Sequence, residues 1–175
     1  MKYLTEDIMD FKSGSDVYRE EVITARELYR TEYNKTRKKL PKKFVKIYEE
    51  NEGFNDFKVP IISFLTEYIY SSYGMIGSKP SNLKLIFIKY DNIGLAWDIT
   101  IKEIIKYTCN YSADNPKGDI EDFIYDGFLL EQNGFISWEM QFSSGFNIRV
   151  IFKKLDIRRL DKDEASKYTS IKRNK

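Results

Sequence analysis

The sequence predicts an α+β protein, with an N-terminal helical hairpin followed by a mostly antiparallel β-sheet of five or six strands. Apolar residues in the first third recur at three- and four-residue spacing, which is typical of amphipathic helices. In the second half they alternate with polar residues around short turns, which is typical of half-buried antiparallel strands. Because helices come first and strands afterwards, the alternating strand–helix order of a doubly wound fold is absent.

The helical hairpin is predicted from two apolar stripes. After a short helix over residues 6–10, a long helix is expected from Asp16 to about Lys39. The spacing of its stripe places these residues on one face: Tyr18, Val22, Ala25, Tyr29 and Tyr33. Pro41 suits the first position of a second helix, whose Phe44, Val45 and Tyr48 should face inward and which Gly53 should end.

The segment at residues 57–70 fits either a helix or a strand by periodicity. Its β-branched and aromatic content favours a strand, with Pro60 near the start or at an edge. Residues 71–82 contain two glycines and a proline, and we expect a loop there.

Alternating patterns predict the remaining strands. Residues 83–90 and 95–102 form a hairpin around a turn at 91–94, and residues 104–111 follow as a third strand. After a polar acidic stretch, the clearest hairpin turns at Ser144-Gly145. Its neighbouring predicted strands are residues 124–130, 136–142 and 148–152. We expect one domain over residues 1–157, helical to about 53 and sheet from about 56, then a charged, disordered tail at 158–175.

Composition limits the possible chemistry. The 175 residues contain no histidine and one cysteine, Cys109. This excludes Ser/His and Cys/His nucleophile pairs, His-ligated metals, intrachain disulfides and CxxC redox sites. We expect no cofactor and no metal, and the composition leans against an enzyme without deciding the question.

The expected location is the cytoplasm. The first thirteen residues lack the apolar core of a secretory signal, and no apolar run of membrane-spanning length occurs. A single cysteine suits a reducing compartment, and the bias towards Lys, Ile, Asn, Tyr and Phe suits an AT-rich bacterial genome.

Three segments together resemble a known family. They are LPKKFVKIYEENEGFNDFKV at residues 40–59, the Trp-containing hairpin at 83–105, and SWEMQFSSGFNIRVIFKKL at 137–155, with MKYLT at the start. They are similar to an uncharacterised bacterial domain-of-unknown-function family, found mainly in Firmicutes. The sequence departs from that family at Asn55, where its "GFHD" motif has His, whereas Asp56 matches. The resemblance implies a fold but no activity, and by analogy such small proteins include toxin-neutralising immunity proteins.

The first candidate site is the basic segment at residues 34–46, NKTRKKLPKKFVK. It carries seven positive side chains and no negative one: Lys35, Arg37, Lys38, Lys39, Lys42, Lys43 and Lys46. Such a segment can bind phosphates or an acidic partner. The alternative is a solvated helix end whose cations complement the helix dipole. Because the overall net charge is only +2, the protein exerts little long-range attraction on either phosphates or an acidic partner.

Other candidates are weaker. Asn55 and Asp56 lie at a helix–strand junction, where polar residues are often functional, although Asp and Asn also serve there as turn residues. The acidic segment 114–131 could ligate calcium or magnesium, but it lacks EF-hand spacing, and an exposed acidic loop is the preferred interpretation. Gly74–Gly77 matches a lone GxxG by chance. Trp97 and Trp138 are expected in the core, and Cys109 as a buried inert thiol.

Three functions follow as hypotheses. The first is a non-enzymatic cytoplasmic binding protein that contacts another protein, in an immunity-type or regulatory role. The second is nucleic-acid binding through residues 35–46, which would need exposed tyrosines beside the cations. The third and weakest is a metal-dependent hydrolase built on the carboxylates of 114–131. We expect no membrane partner, and the sequence leaves the oligomeric state open.

Overall fold

The computed structural model describes residues 16–89, 92, 94–111 and 121–169. Its helices are α1 (Asp16–Thr36), α2 (Lys42–Glu50), a short 3₁₀ turn (Glu52–Phe54) and α3 (Lys162–Thr169). Its strands are β1 (Phe57–Ser71), β2 (Gly74–Lys89), β3 (Ala96–Tyr111), β4 (Glu121–Leu130), β5 (Ile136–Phe142) and β6 (Phe146–Arg159). The predicted α+β class, with a helical hairpin before an antiparallel sheet, is confirmed. The helix predicted over residues 6–10 lies outside the described residues.

The six strands form a closed antiparallel barrel in the order β1-β2-β3-β6-β5-β4. The barrel closes through a short contact, in which Lys58 pairs with Asp122 and Val59 with Glu121. Along each strand, alternate side chains point inward, and the interior is rich in aromatic rings. The large interior side chains that are essentially inaccessible include Phe57, Phe87, Phe123, Phe128, Trp138, Phe142 and Phe152.

The helical hairpin packs against this aromatic interior. In α2 the residues Phe44, Val45, Ile47 and Tyr48 are buried, as the apolar spacing predicted. In α1 Ala25 is buried and Tyr33 packs on the same core, whereas the side chains of Tyr18 and Val22 lie outside the described part. α1 ends at Thr36, earlier than expected, and Pro41 immediately precedes α2. None of the described helices has the length and apolar character needed to cross a membrane.

Residues 57–70 form strand β1, so the preferred interpretation is confirmed. The loop predicted at residues 71–82 is wrong, because β2 already starts at Gly74 and pairs with β1 from there. β2 pairs with β3 only from Asn82 onwards. Pro80 therefore lies where one edge of β2 has no described strand beside it, and its missing N–H is tolerated there.

The third strand predicted at residues 104–111 is instead the second half of β3. The ladder between β3 and β6 shifts register between Ile104 and Lys106, next to Glu103, whose φ is 53°. A bulge of this kind bends a strand without ending it. A local bend therefore does not divide β3 into two elements.

The disordered tail predicted at residues 158–175 is wrong for the part that the structure describes. β6 runs to Arg159, and α3 follows with Ala165 buried. Oδ1 of Asp161 accepts a hydrogen bond of 2.8 Å from the Glu164 N–H, and Oε2 of Glu164 accepts one of 3.2 Å from the Asp161 N–H. This reciprocal cap starts the helix despite the charged composition. α3 contributes to a second apolar cluster on the outer face of the barrel, formed by Ile86, Ile88, Ala96, Leu160 and Ala165.

Candidate functional site

A groove lies between α1 and α2, next to the turn that joins them. Its volume is about 1010 Å³. Five of the seven predicted cations line it: Lys35, Arg37, Lys38, Lys42 and Lys46. Lys39 and Lys43 are exposed on the same segment but do not line the groove. The fold therefore divides the basic segment into a groove-lining set and an outward set.

The turn between the helices positions this groove. Leu40, the residue before Pro41, is buried, and Val45 is buried one turn into α2. Both also line the groove, so its floor is apolar while its rim is charged. The hydroxyl of Thr36 is buried and donates a 3.0 Å hydrogen bond to the carbonyl of Glu32, which keeps that polar group satisfied inside the end of α1.

Three of the groove cations have a carboxylate partner. Lys35 pairs with Glu32 at 2.6 Å, Arg37 with Glu49 at 3.0 Å and Lys46 with Glu50 at 3.8 Å. These pairs are exposed and therefore weak.

The other two groove cations, Lys38 and Lys42, form no ion pair with any residue in the described part of the chain. Among the described residues that line the groove, five are cations and two are carboxylates, Glu49 and Glu50. An incoming acidic group would therefore meet a net positive surface.

Within the described part of the chain, no aromatic residue lines the groove. The nearest tyrosines belong to the core instead. Tyr33 packs on the buried cluster, and its hydroxyl donates a 3.3 Å hydrogen bond to Glu49; burial and the Glu49 charge raise the pKa of its phenol. Tyr48 is buried on the face of α2 that packs against the barrel. The groove thus offers positive charge and an apolar floor, but no platform on which nucleic-acid bases could stack.

Asn55 and Asp56 lie apart from this groove. Both are exposed in the turn between the 3₁₀ segment and β1, and Asp56 has a φ of 64°. Among the described residues, neither side chain has a hydrogen-bond partner. Their geometry is that of a tight turn, for which Asp and Asn are suited.

A second polar cluster, which the sequence analysis missed, centres on Asp126. The acidic composition of residues 114–131 predicts that Asp126 is exposed, and this prediction is wrong, because Asp126 is buried in β4. Tyr48 Oη donates a 2.8 Å hydrogen bond to its Oδ1, and Trp138 Nε1 donates one of 2.5 Å to its Oδ2. The alternation of side chains along a strand could have indicated this burial, because Asp126 lies two residues before Phe128 and therefore shares its face of β4.

The environment of Asp126 favours its neutral form. Burial raises the pKa of this carboxyl to about 7, although the hydrogen bonds from Tyr48 and Trp138 act in the opposite direction. Burial also raises the pKa of Tyr29 and of Tyr48 far above the usual phenol range, and the Asp126 charge adds to both shifts. Gly53 approaches closely, because a Cβ there would lie 3.2 Å from Tyr48 Oη and 3.5 Å from Asp126 Oδ1.

The rest of the acidic segment does not form a cation site in the described structure. Asp122 pairs with Lys58, and Glu131 pairs with Arg149 at 2.9 Å. Within the described residues, no group of three or more acidic or Cys side chains is arranged to hold a metal ion. Asp114 and Asp119 lie outside the described residues. Residues 124–130 lie in strand β4, as predicted, but β4 begins earlier, at Glu121, within the stretch that was expected to be an exposed acidic loop.

The structure also tests what the sequence predicted for the two tryptophans, for Cys109 and for the two glycines of the GxxG motif. Trp97 and Trp138 are buried in the core, as expected. Cys109 is exposed on β3, so the prediction of a buried thiol is wrong, although partial burial raises its pKa. Gly74 and Gly77 lie in strand β2, not in a phosphate-binding loop.

Comparison with known proteins adds little. No family model and no curated protein matches the sequence, and the family resemblance stays a prediction. A crystal structure of an uncharacterized protein from Neisseria gonorrhoeae matches 61% of this chain and 93% of its own, with 15% identity and a TM-score of 0.37. A likeness at that TM-score carries no argument about fold or function.

Proposed function

We propose that this chain is a non-enzymatic binding protein of the bacterial cytoplasm, which holds an acidic segment of a partner protein in the groove between α1 and α2. The observation that carries the proposal is the composition of this groove. Cations form its rim, Leu40 and Val45 form an apolar floor, and Lys38 and Lys42 have no carboxylate partner among the described residues. A regulatory or immunity-type role would use such a groove to hold its target.

The mixed character of the groove favours a protein segment over a simple anion. An amphipathic acidic segment could place apolar side chains on Leu40 and Val45 and carboxylates beside Lys38 and Lys42. Charges at the rim chiefly raise the association rate and select the partner, and the apolar floor supplies contact that excludes water.

Nucleic acid is the second candidate, and the same groove supports it less well. Phosphate contacts alone could use the cations, but none of the described residues that line the groove is aromatic and could stack on a base. The net charge of +2 adds little general attraction for a polyanion.

A direct test measures fluorescence anisotropy of two labelled probes, an amphipathic Glu/Leu peptide and a DNA duplex, with the full chain at 50 mM salt. The working variant is Lys38→Glu with Lys42→Glu. The matched control is Lys39→Glu with Lys43→Glu, which makes the same charge change on the same segment outside the groove. We expect the groove variant to weaken peptide binding roughly tenfold or more and the control to weaken it only about twofold.

Each other result has a defined meaning. Equal losses in the two variants would show that only the overall charge matters, and the groove would not be the site. Tighter binding of the duplex than of the peptide, lost steeply as salt rises, would replace the proposal with the nucleic-acid function. No binding of either probe at 50 mM salt would count against both functions.

A further inference from the structure

The helical hairpin rests on the barrel through an interface made mainly of aromatic rings. Phe44 of α2 lies 5.6 Å from Phe128 and 5.8 Å from Trp138, measured between ring centroids. Tyr48 lies 5.4 Å from Phe128 and 5.8 Å from Phe54 in edge-on contacts. Such contacts are apolar and do not depend on pH.

One carboxylate interrupts this apolar interface. Asp126 of β4 accepts one hydrogen bond on each carboxylate oxygen, from Tyr48 on α2 to Oδ1 and from Trp138 on β5 to Oδ2. The side chain therefore joins the helical hairpin to two strands of the barrel. Any change in its charge acts directly on the contact between the hairpin and the barrel.

The groups that face Asp126 do not balance its charge. α1 presents the phenol of Tyr29, α2 that of Tyr48, β5 the indole of Trp138, and the 3₁₀ turn the backbone of Gly53. No lysine or arginine within the described residues pairs with the carboxylate. Both phenols have raised pKa values and stay neutral. Asp126 is thus the member of this cluster that changes charge near neutral pH, since its pKa is about 7.

An ionised carboxylate without a cation is costly in an apolar interface, and exposure to water relieves that cost. Lifting α2 from the barrel would remove the bond to Tyr48 and open a route for water to Asp126. Protonation has the reverse effect, because the neutral acid fits the buried site. The charge of Asp126 therefore biases the hairpin between a docked and a loosened arrangement.

We propose that Asp126 is a proton-operated clasp, which holds the helical hairpin on the barrel when protonated and loosens it when ionised. α2 carries Tyr48 towards the barrel and Lys42, Val45 and Lys46 towards the groove. Loosening α2 therefore changes the groove that it forms with α1. This consequence for the groove rests on the function proposed above, whereas the clasp itself does not.

The clasp is tested by hydrogen exchange with mass spectrometry on the full chain at pH 6 and pH 8.5, with rates corrected for intrinsic exchange. Protection of residues 42–50 should fall roughly tenfold between these pH values, because opening becomes about tenfold easier per pH unit below the pKa of the buried acid and levels off above it. The hairpin of β5 and β6 serves as the internal reference and should change much less. Asp126→Asn should abolish the pH dependence at residues 42–50.

A second variant keeps the test decisive if Asp126→Asn fails to fold. Tyr48→Phe retains the carboxylate and removes a donor that favours its ionised form. In Tyr48→Phe, residues 42–50 should therefore be less protected than in the wild type. The pH range over which their protection falls should also extend to higher pH. Equal protection of residues 42–50 at both pH values in the wild type would overturn the clasp. A pH effect that persists in Asp126→Asn, or that is uniform across all strands, would do so as well.

Peptide binding distinguishes the clasp from the proposed function. The same Glu/Leu peptide is measured with the wild type and Asp126→Asn at pH 6 and pH 8.5. If both proposals hold, binding weakens at the higher pH in the wild type alone. Intact peptide binding without the exchange effect would overturn the clasp and leave the groove function standing. The exchange effect without any peptide binding would overturn the groove function and leave the clasp standing.

Discussion

Tyr48 Oη donates a 2.8 Å hydrogen bond to Oδ1 of Asp126, a residue 78 positions further along the chain. The donor lies on the helical hairpin and the acceptor inside the barrel, and both residues are buried. Such a bond is worth more than a surface hydrogen bond, because a buried acceptor that loses its donor has no water to replace it.

Removing the Tyr48 hydroxyl should destabilise the protein measurably. We expect Tyr48→Phe to lower the free energy of unfolding by about 1–3 kcal/mol, and by more at pH 8 than at pH 6, since the bond to an ionised acceptor is the stronger one. Urea denaturation at both pH values measures this. Tyr33→Phe is the control, because the Tyr33 hydroxyl bonds Glu49 at 3.3 Å at the surface, and it should cost less than about 0.5 kcal/mol. Equal losses in the two variants would contradict the prediction.

Stability should fall as pH rises from 5 to 7. The pKa of Asp126 is raised from 3.8 to about 7 in the folded protein, so the folded state holds a proton in this range that the unfolded chain has lost. Linkage then predicts a decrease of about 1.4 kcal/mol per pH unit, or about 2–3 kcal/mol in all, which levels off above pH 7.

Denaturant titrations at half-unit intervals from pH 5 to pH 8 check this slope. Glu103 and Glu164 have lowered pKa values, from their bonds with Lys154 and Arg158. Their contribution is lost only at more acidic pH, outside the chosen window. Asp126→Asn should give a flat profile between pH 5 and pH 8. A wild-type profile that is equally flat would show that Asp126 titrates normally.

Phe44 should be among the most costly residues to truncate. It has no exposed surface and contacts four rings: Tyr48, Phe54, Phe128 and Trp138. We expect Phe44→Ala to destabilise the fold by about 3–5 kcal/mol, through lost burial and a cavity between α2 and the barrel. Tyr73→Ala is the comparison, since Tyr73 is 99% exposed, and it should change stability by less than about 0.5 kcal/mol. Thermal denaturation of both variants and of the wild type measures the two losses of stability.

Removing α3 should uncover apolar surface on the barrel. A chain that ends at Arg159 lacks Leu160 and Ala165, which are buried against Ile86 and Ile88. Burying one leucine side chain is worth about 1.5–3 kcal/mol, so the melting temperature should fall by roughly 5–10 °C and a hydrophobic dye should bind. A chain that ends at Thr169 retains α3 and should behave like the full chain. An unchanged melting temperature after removal of α3 would show that the helix contributes no stability.

Much of the fold could be predicted because its signals are local. The hairpin of β5 and β6 follows from strict alternation around Ser144-Gly145, and α2 from the spacing of Phe44, Val45 and Tyr48. The basic segment was also visible in the sequence. What the sequence did not show is which of its cations face a common groove, since that depends on the angle at which α1 and α2 meet.

The errors have a common physical origin. Gly77 and Pro80 disfavour a strand locally, yet β2 extends through them because β1 supplies a pairing partner. α3 is highly charged, yet it folds because Leu160 and Ala165 meet an apolar patch of the barrel. In both cases a contact between distant parts of the chain outweighs the local preference.

The sequence by itself determined the types of most elements, the exclusion of histidine and intrachain disulfide chemistry, and the concentration of positive charge at residues 35–46. Only the tertiary structure decided that the sheet closes through Lys58 and Val59, and that Asp126 lies inside the barrel beneath Tyr48. Local patterns report periodicity and charge, whereas burial depends on which distant segments meet. A carboxylate in a solvated loop and one in an aromatic core have the same sequence letter, and burial alone makes the second a group with a pKa of about 7.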